Sequence, residues 1–280
     1  MFLILPACAA ALYALGSMGL KLSMLRGTPP RRVMAVSNIA MAAWSLPLVF
    51  FFPGTWNLQA WLAAVAAGAA LFVGRIFAVK ALEAGDLSVV APLLGMKTIL
   101  VAALSMVLFP FEITTSLLLS ALMASAGVAL LQIGPAERRR GTRAAALYAL
   151  GASLLFAITD ILVQGSARTL GIGFFQPTLF LTVAVMIPLL GRHGRAPVGA
   201  HGPLLAGSVL MGFQTSLVIL VIGIFGQAAL VNVIYSTRSL WAVVVDRALG
   251  EPHIRRFMIP RTIGALLVTG AVVLAILQNL

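Results

Sequence analysis

The chain has 280 residues, of which 61% are hydrophobic and only 9% charged. Globular chains carry about 45–50% apolar and about 25% charged residues, so this composition cannot build a soluble surface. The net charge of +12 would indicate nucleic acid in a soluble protein. Here the basic residues stand in short clusters between apolar runs, the pattern of membrane-protein loops. The composition therefore predicts an integral membrane protein whose surroundings are the lipid bilayer, with no nucleic-acid partner.

In chain order, Phe2 to Leu22 is the first apolar run; no basic residue precedes it, as a signal peptide would require, so it reads as a span. Val33 to Gly74 is free of charge and long enough for two crossings of about 20 residues each, with Pro53-Gly54 as the turn. Gly202 to Thr237 is likewise too long for one crossing and breaks at Gly226-Gln227. The same reading of every stretch gives ten helices, at 2–22, 33–52, 59–80, 87–109, 113–134, 145–167, 174–191, 203–224, 228–249 and 258–278. Runs this continuous are helices; a barrel would alternate. Trp56 and Trp61 read as anchors at the membrane interface.

Short connections leave no extramembrane domain for soluble chemistry. The lone Cys8 excludes an internal disulfide and a cysteine metal cage. His193, His201 and His253 all lie in polar connections, and no G-x-S-x-G, P-loop or G-x-G-x-x-G occurs. With no nucleophile–base set and no histidine inside a span, an enzyme is not expected. No metal or other cofactor is implied.

The most polar connection, 135–143, is a basic linker that leaves five spans on each side, in 1–134 and 144–280. Ala10-Ala-Leu-Tyr-Ala-Leu-Gly16 opens the first half and Ala145-Ala-Leu-Tyr-Ala-Leu-Gly151 the second. Gly85 to Thr98 lies over Gly226 to Ser239 at a shift of 141, which pairs Lys97 with Arg238, Thr98 with Ser239 and Pro47 with Pro188. An odd number of spans per copy makes the second copy enter from the opposite face. The expected fold is thus all-α, with ten transmembrane helices in two inverted five-helix repeats, a transporter plan.

The Gly-led fourth and ninth spans with a polar residue midway, the acidic residue after each (Glu112; Gly250-Glu251) and the Gly-containing last spans (Gly127; Gly264 and Gly270) carry a family likeness. The chain resembles the drug/metabolite transporter superfamily in its ten-helix, EamA-type form, over essentially its whole length. Pro110-Phe111-Glu112 departs from the family's usual Gly-Glu. The resemblance implies a permease, with export as its direction. It also implies an anion site, without naming a phosphate, because organic-phosphate carriers of this superfamily hold phosphate with Lys and Arg on the fourth and ninth helices.

Two cations lie where charge is costly. Lys97 and Arg238 stand near the centres of spans four and nine, at about 2.5–3.5 kcal/mol each on an insertion scale. The interface is about 15 Å away, too far for easy snorkelling. Asp160 is the one carboxylate at comparable depth, and one acid cannot neutralise two bases. At least one of the pair is therefore a candidate for an anionic substrate group. Asp160 is either a counter-ion, with Arg238 as the partner considered, or a proton carrier that couples transport. Asn38, Gln214, Asn232 and Tyr235 either orient a substrate or tie helices together. Arg75 either faces a cavity or snorkels.

Fourteen loop Lys/Arg fall on one side against Arg168 alone on the other. The positive-inside rule then places the protein in the cytoplasmic (inner) membrane with both termini outside, against the topology usual in the family. The expected function is a permease, a monomer or homodimer, that moves a small polar metabolite bearing a carboxylate or phosphate by alternating access. The alternative is an exporter of amino acids or cationic drugs with Asp160 as the substrate or proton site.

Overall fold

The computed structural model describes residues 3–85, 87–109, 114–132, 142–192, 194–248 and 258–278. Glu112, Gly250-Glu251, His193, His253 and residues 135–141 of the basic linker lie outside them. Among the described residues every regular element is helical. In hydrocarbon each backbone N–H and C=O must bond within its own segment, and a helix does this without a partner.

The α-helices are α1 (Ile4–Leu25), α2 (Pro30–Ser45), α3 (Leu48–Phe51), α4 (Leu58–Ala84), α5 (Leu87–Gly95), α6 (Lys97–Leu108) and α7 (Thr115–Leu131). After the linker come α8 (Thr142–Leu170), α9 (Ile172–Val185), α10 (His201–Phe225), α11 (Ala228–Tyr235), α12 (Arg238–Ala248) and α13 (Met258–Leu277). Seven helical segments are long and apolar enough to cross a membrane: Ile4–Leu25, Pro30–Phe51, Leu58–Ala84, Arg143–Leu170, Ile172–Leu190, Val198–Phe225 and Ile259–Leu277. Pro92–Leu108, Thr115–Leu131 and Ala228–Val244 are shorter apolar helical segments. The protein is an α-helical, multi-pass membrane protein.

The chain folds into two compact units, one of Met1–Phe72 with Leu162–Gly226, the other of Val73–Ile161 with Gln227–Leu280. Each unit takes segments from both halves of the sequence. The chain passes between them inside α4, inside α8 and at Gly226-Gln227.

In the first unit α1 runs along α10, and α10 along α2. Lipid tails are as apolar as the side chains, so helices associate through close backbone approach and hydrogen bonds rather than through hydrophobic burial. Glycines supply the approach. A Cβ on Gly19 would stand 2.9 Å from the Gly207 Cα, and one on Gly212 would stand 2.8 Å from the Ala40 carbonyl carbon. Polar side chains supply the bonds: the Gln176 amide on α9 donates to the Ser216 carbonyl of α10 at 3.2 Å and also to the Ser216 hydroxyl. Gly226, with φ +69°, closes α10 in the left-handed region, and Arg168 Nε donates to the Ile224 carbonyl at 3.1 Å. A cation over the last carbonyls of a helix suits its dipole.

In the second unit α7 packs along α13. Gly127 and Gly264 face each other there, so that a Cβ on either would lie 2.7 Å from the other's carbonyl oxygen. The second half of α4 meets the first half of α8 through Gly74 against Phe156 and Gly151 against Phe77. Ala81, Val90, Ala145 and Ala149 form the buried cluster beside it. These contacts fix the part of α8 that carries Asp160.

Candidate functional site: an ion pair beside two broken helices

The predicted span four is two helices. Pro92 has no N–H to give the carbonyl four residues earlier, so α5 is weakened from within. It ends at Gly95, and α6 starts at Lys97 after the single break residue Met96. The Leu93 carbonyl, which in a continuous helix would accept from the Lys97 N–H, instead accepts from the Met96 N–H at 3.2 Å and from the Ser153 hydroxyl of α8 at 2.8 Å. A helix break within an apolar segment is stable only when such partners take up the freed groups.

Span nine is broken as well, by different chemistry. No proline is present; Ser236 and Thr237 separate α11 from α12. Their hydroxyls donate to the carbonyls three residues back, Ser236 to Val233 at 2.6 Å and Thr237 to Ile234 at 2.8 Å, and Ser239 repeats the pattern onto Ser236 at 2.7 Å. The backbone tightens to i→i+3 bonds through the same stretch, from Thr237 to Ile234, Ser239 to Ser236 and Leu240 to Thr237. Local hydroxyl bonds compete with the helical ladder, and three in succession break it.

The two breaks fall in register. α5 and α11 begin 141 residues apart, at Leu87 and Ala228. α6 and α12 also begin 141 apart, with Lys97 and Arg238 as their first residues. Both cations thus stand at the positive end of a half-helix dipole, an unfavourable place for a base unless an anion is near.

For Lys97 the anion is Asp160. Lys97 Nζ lies 2.7 Å from Asp160 Oδ2, with the two side chains only 13% and 3% exposed. The same oxygen accepts from Asn232 Nδ2 at 2.6 Å, and that amide also donates to the Ala228 carbonyl at 2.9 Å. Three helices, α6, α8 and α11, therefore meet on one carboxylate oxygen. The partner of Asp160 in the fold is thus Lys97, and not Arg238 as considered from the sequence. Arg238 places its guanidinium 4.7 Å from the Tyr235 ring centroid, one turn back. Tyr235 is buried and Arg238 half-buried, so the cation–π contact is partly desolvated.

The remaining candidates are spread more widely. Arg75 is half-buried on α4, within the second unit. Gln214 and Asn38 belong to the first unit. Gln214 is buried and donates to the Met211 carbonyl at 3.2 Å and to Thr215 Oγ1 at 2.6 Å, both on its own helix. Asn38 is fully buried on α2, and neither its amide nitrogen nor its oxygen has a hydrogen-bond partner among the described residues. Trp56 and Trp61 pair at 6.0 Å, with Trp56 exposed as an interface anchor would be. Ser153, Ser236 and Thr237 were not legible as site-forming from the sequence. Their only signal is a hydroxyl inside an apolar run, which most helices absorb without breaking.

Among the described residues no group of three His, Cys, Asp or Glu is placed to hold a metal ion. No family model and no curated protein matches the sequence. Among solved structures, one crystal structure superposes with a TM-score of 0.75 over 99% of this chain and 96% of its own length, at 15% identity. That likeness is one of fold.

Proposed function

We propose that the chain is a permease of the drug/metabolite transporter type, with ten spans in two inverted repeats, 1–134 and 144–280, joined by the linker 135–143. It moves a small polar metabolite bearing one anionic group, by alternating access. The observation that carries this reading is the register of the two broken spans, each of whose second half-helices starts on a base. Discontinuous helices with their N-termini aimed at a substrate anion are a recurrent transporter device. Seven span-length helices support this reading, which counts the three shorter apolar segments as the remaining crossings.

The charges set the substrate class. Lys97 and Asp160 neutralise each other, and Arg238 is the cation assigned to one carboxylate or a singly charged phosphate ester. Arg238 takes the anion, and the Tyr235 ring, 4.7 Å away, positions its guanidinium. Lys97 and Asp160 serve as the counter-charged hinge between α6 and α8. The cationic-substrate alternative is less well supported, because Asp160 already accepts from both Lys97 and Asn232. Arg75, in the same unit as Arg238, orients the rest of the substrate. No cofactor is required, and the reading includes no enzymatic step.

Proteoliposome uptake tests the proposal. Small carboxylates or phosphate esters should enter faster than matched neutral and cationic analogues; preferential entry of the cations would transfer the function to Asp160. The orientation follows from the loop charges, with both termini outside the cytoplasmic membrane. A reporter fused after Leu280 should be silent if it works only in the cytoplasm, and activity from that fusion would reverse the topology.

A further inference from the structure

All seven acidic residues of the chain fall in the second unit; the first contains seven basic residues and no acidic one. In the second unit the loop bases have acids close in sequence: Glu83 and Asp86 near Lys80, Glu137 before Arg138, Asp246 before Arg247, and Glu251 before Arg255. Five of the first unit's bases, Arg26, Arg31, Arg32, Arg192 and Arg195, lie on two segments that pack together at one end of it. Arg26 Nη1 donates to the Gly199 carbonyl at 2.7 Å, and Ser23 donates to the Ala200 carbonyl at 3.2 Å. A Cβ on Gly194 would lie 3.0 Å from the Pro29 ring, and one on Gly191 would lie 3.9 Å from Arg31 Nη1. Beneath them Val33 and Ala196, the neighbours of Arg32 and Arg195, share one buried cluster.

Like charges gathered in this way repel, and the local backbone adds to the repulsion. Arg31 and Arg32 occupy the first turn of α2, after Pro30, at the positive end of its dipole, and no side chain caps that end. Arg32 Nε is buried with no hydrogen-bond partner among the described residues. A sequestered guanidinium N–H calls for an acceptor oxygen. The protein has no carboxylate in this unit to supply it.

The geometry points to a site for the phosphodiester of an anionic phospholipid, held by Arg31 and Arg32 from α2 and by Arg192 and Arg195 from the facing segment. A lipid rather than a free phosphate fits because large apolar side chains stand exposed beside the cations: Leu25 at 76%, Leu189 at 71% and Val198 at 91%. A headgroup on the guanidinium fork places its acyl chains along these residues. Basic pockets at helix ends are the usual receptors of such headgroups. Topology signalling alone needs charge on this side but neither guanidinium geometry nor a buried Nε. The site lies within one unit and does not depend on the transport reading.

The test is thermal unfolding of the detergent-purified protein with added phosphatidylglycerol, phosphatidylcholine or inorganic phosphate. Phosphatidylglycerol should raise the midpoint, and neither of the others should do so at matched concentration. The Arg31→Gln/Arg32→Gln variant should need about 30-fold more phosphatidylglycerol for half the effect, at about a factor of five per lost charge. Arg32→Lys/Arg195→Lys keeps the charge count and hence the insertion signal, and should still weaken the effect about tenfold through loss of the guanidinium fork. Lys80→Gln, in the other unit, should behave as the parent. Equal shifts with phosphatidylcholine, competition by inorganic phosphate, or a Lys variant with the parent's midpoint would each overturn the lipid site.

Discussion

Asp160→Ala should lower the free energy of unfolding by about 3–5 kcal/mol, the range found when one partner of a buried ion pair is removed. The cost is not the worth of the pair itself. It arises because Lys97, only 13% exposed on its side chain, would keep its charge with no carboxylate beside it. Asn232 would lose its 2.6 Å acceptor at the same time. Two further variants separate these causes. Asp160→Asn keeps the shape and one acceptor oxygen, so it should recover the share due to Asn232 and leave the cost of the unpaired ammonium. Lys97→Met/Asp160→Leu removes both charges from the spans and should return most of the lost stability, since apolar replacements of buried pairs are often neutral. With the singles Lys97→Met and Asp160→Leu added, unfolding of the parent, the two singles and the double in one detergent closes the cycle and gives the coupling energy. Additivity to within about 0.5 kcal/mol would mean that the two side chains do not act on each other. The Asn variant also decides the coupling role: if uptake by Asp160→Asn still responds to a proton gradient, Asp160 is a counter-ion and not the proton carrier.

The helices were legible because the bilayer imposes one rule on every span. Seven of the ten predicted runs fall on helical segments long and apolar enough to cross a membrane and three on shorter apolar helices, with ends displaced by a few residues, as at α4, which runs to Ala84 where the sequence suggested 80. The interior breaks were legible in part. Pro92 and Gly95 mark span four because proline removes a backbone donor wherever it stands. The break at Ser236-Thr237 carries no such mark, because a hydroxyl in a helix can bond its own backbone or a neighbour, and only packing decides which. The pairing of Asp160 was beyond the sequence for a similar reason. Lys97 and Arg238 are equivalent in type, depth and register, and what separates them is the azimuth at which α6 and α8 meet. α8 is itself held against α4 by close contacts such as Gly74 against Phe156 and Gly151 against Phe77, each involving residues far apart in the chain. The candidate list was legible residue by residue, while the carboxylate-centred cluster of Lys97, Asp160 and Asn232 belongs to the tertiary fold.

Arg238→Gln should cut kcat/KM for an anionic substrate by about 100-fold, the kinetic equivalent of about 2.7 kcal/mol, while leaving the Lys97–Asp160 pair intact. The magnitude follows from a charge-assisted hydrogen bond, worth about 1.5–3 kcal/mol in a site shielded from water. Glutamine retains a donor and loses the charge, so the defect should vanish for a neutral analogue of the same substrate. Arg238→Lys separates charge from shape. The Arg238 guanidinium stands 4.7 Å from the Tyr235 ring centroid, and an ammonium, which has no planar fork, keeps the attraction and loses the orientation. Its uptake should be intermediate, with the loss mainly in KM. Tyr235→Phe should resemble the parent because the ring face is retained, and Tyr235→Leu should resemble Arg238→Lys because that face is gone. If Arg238→Gln moves the anion as well as the parent does while Lys97→Gln cannot, the roles of the two cations are exchanged. The anion would then enter by displacing Asp160 from Lys97, and the ion pair would be the gate rather than the hinge.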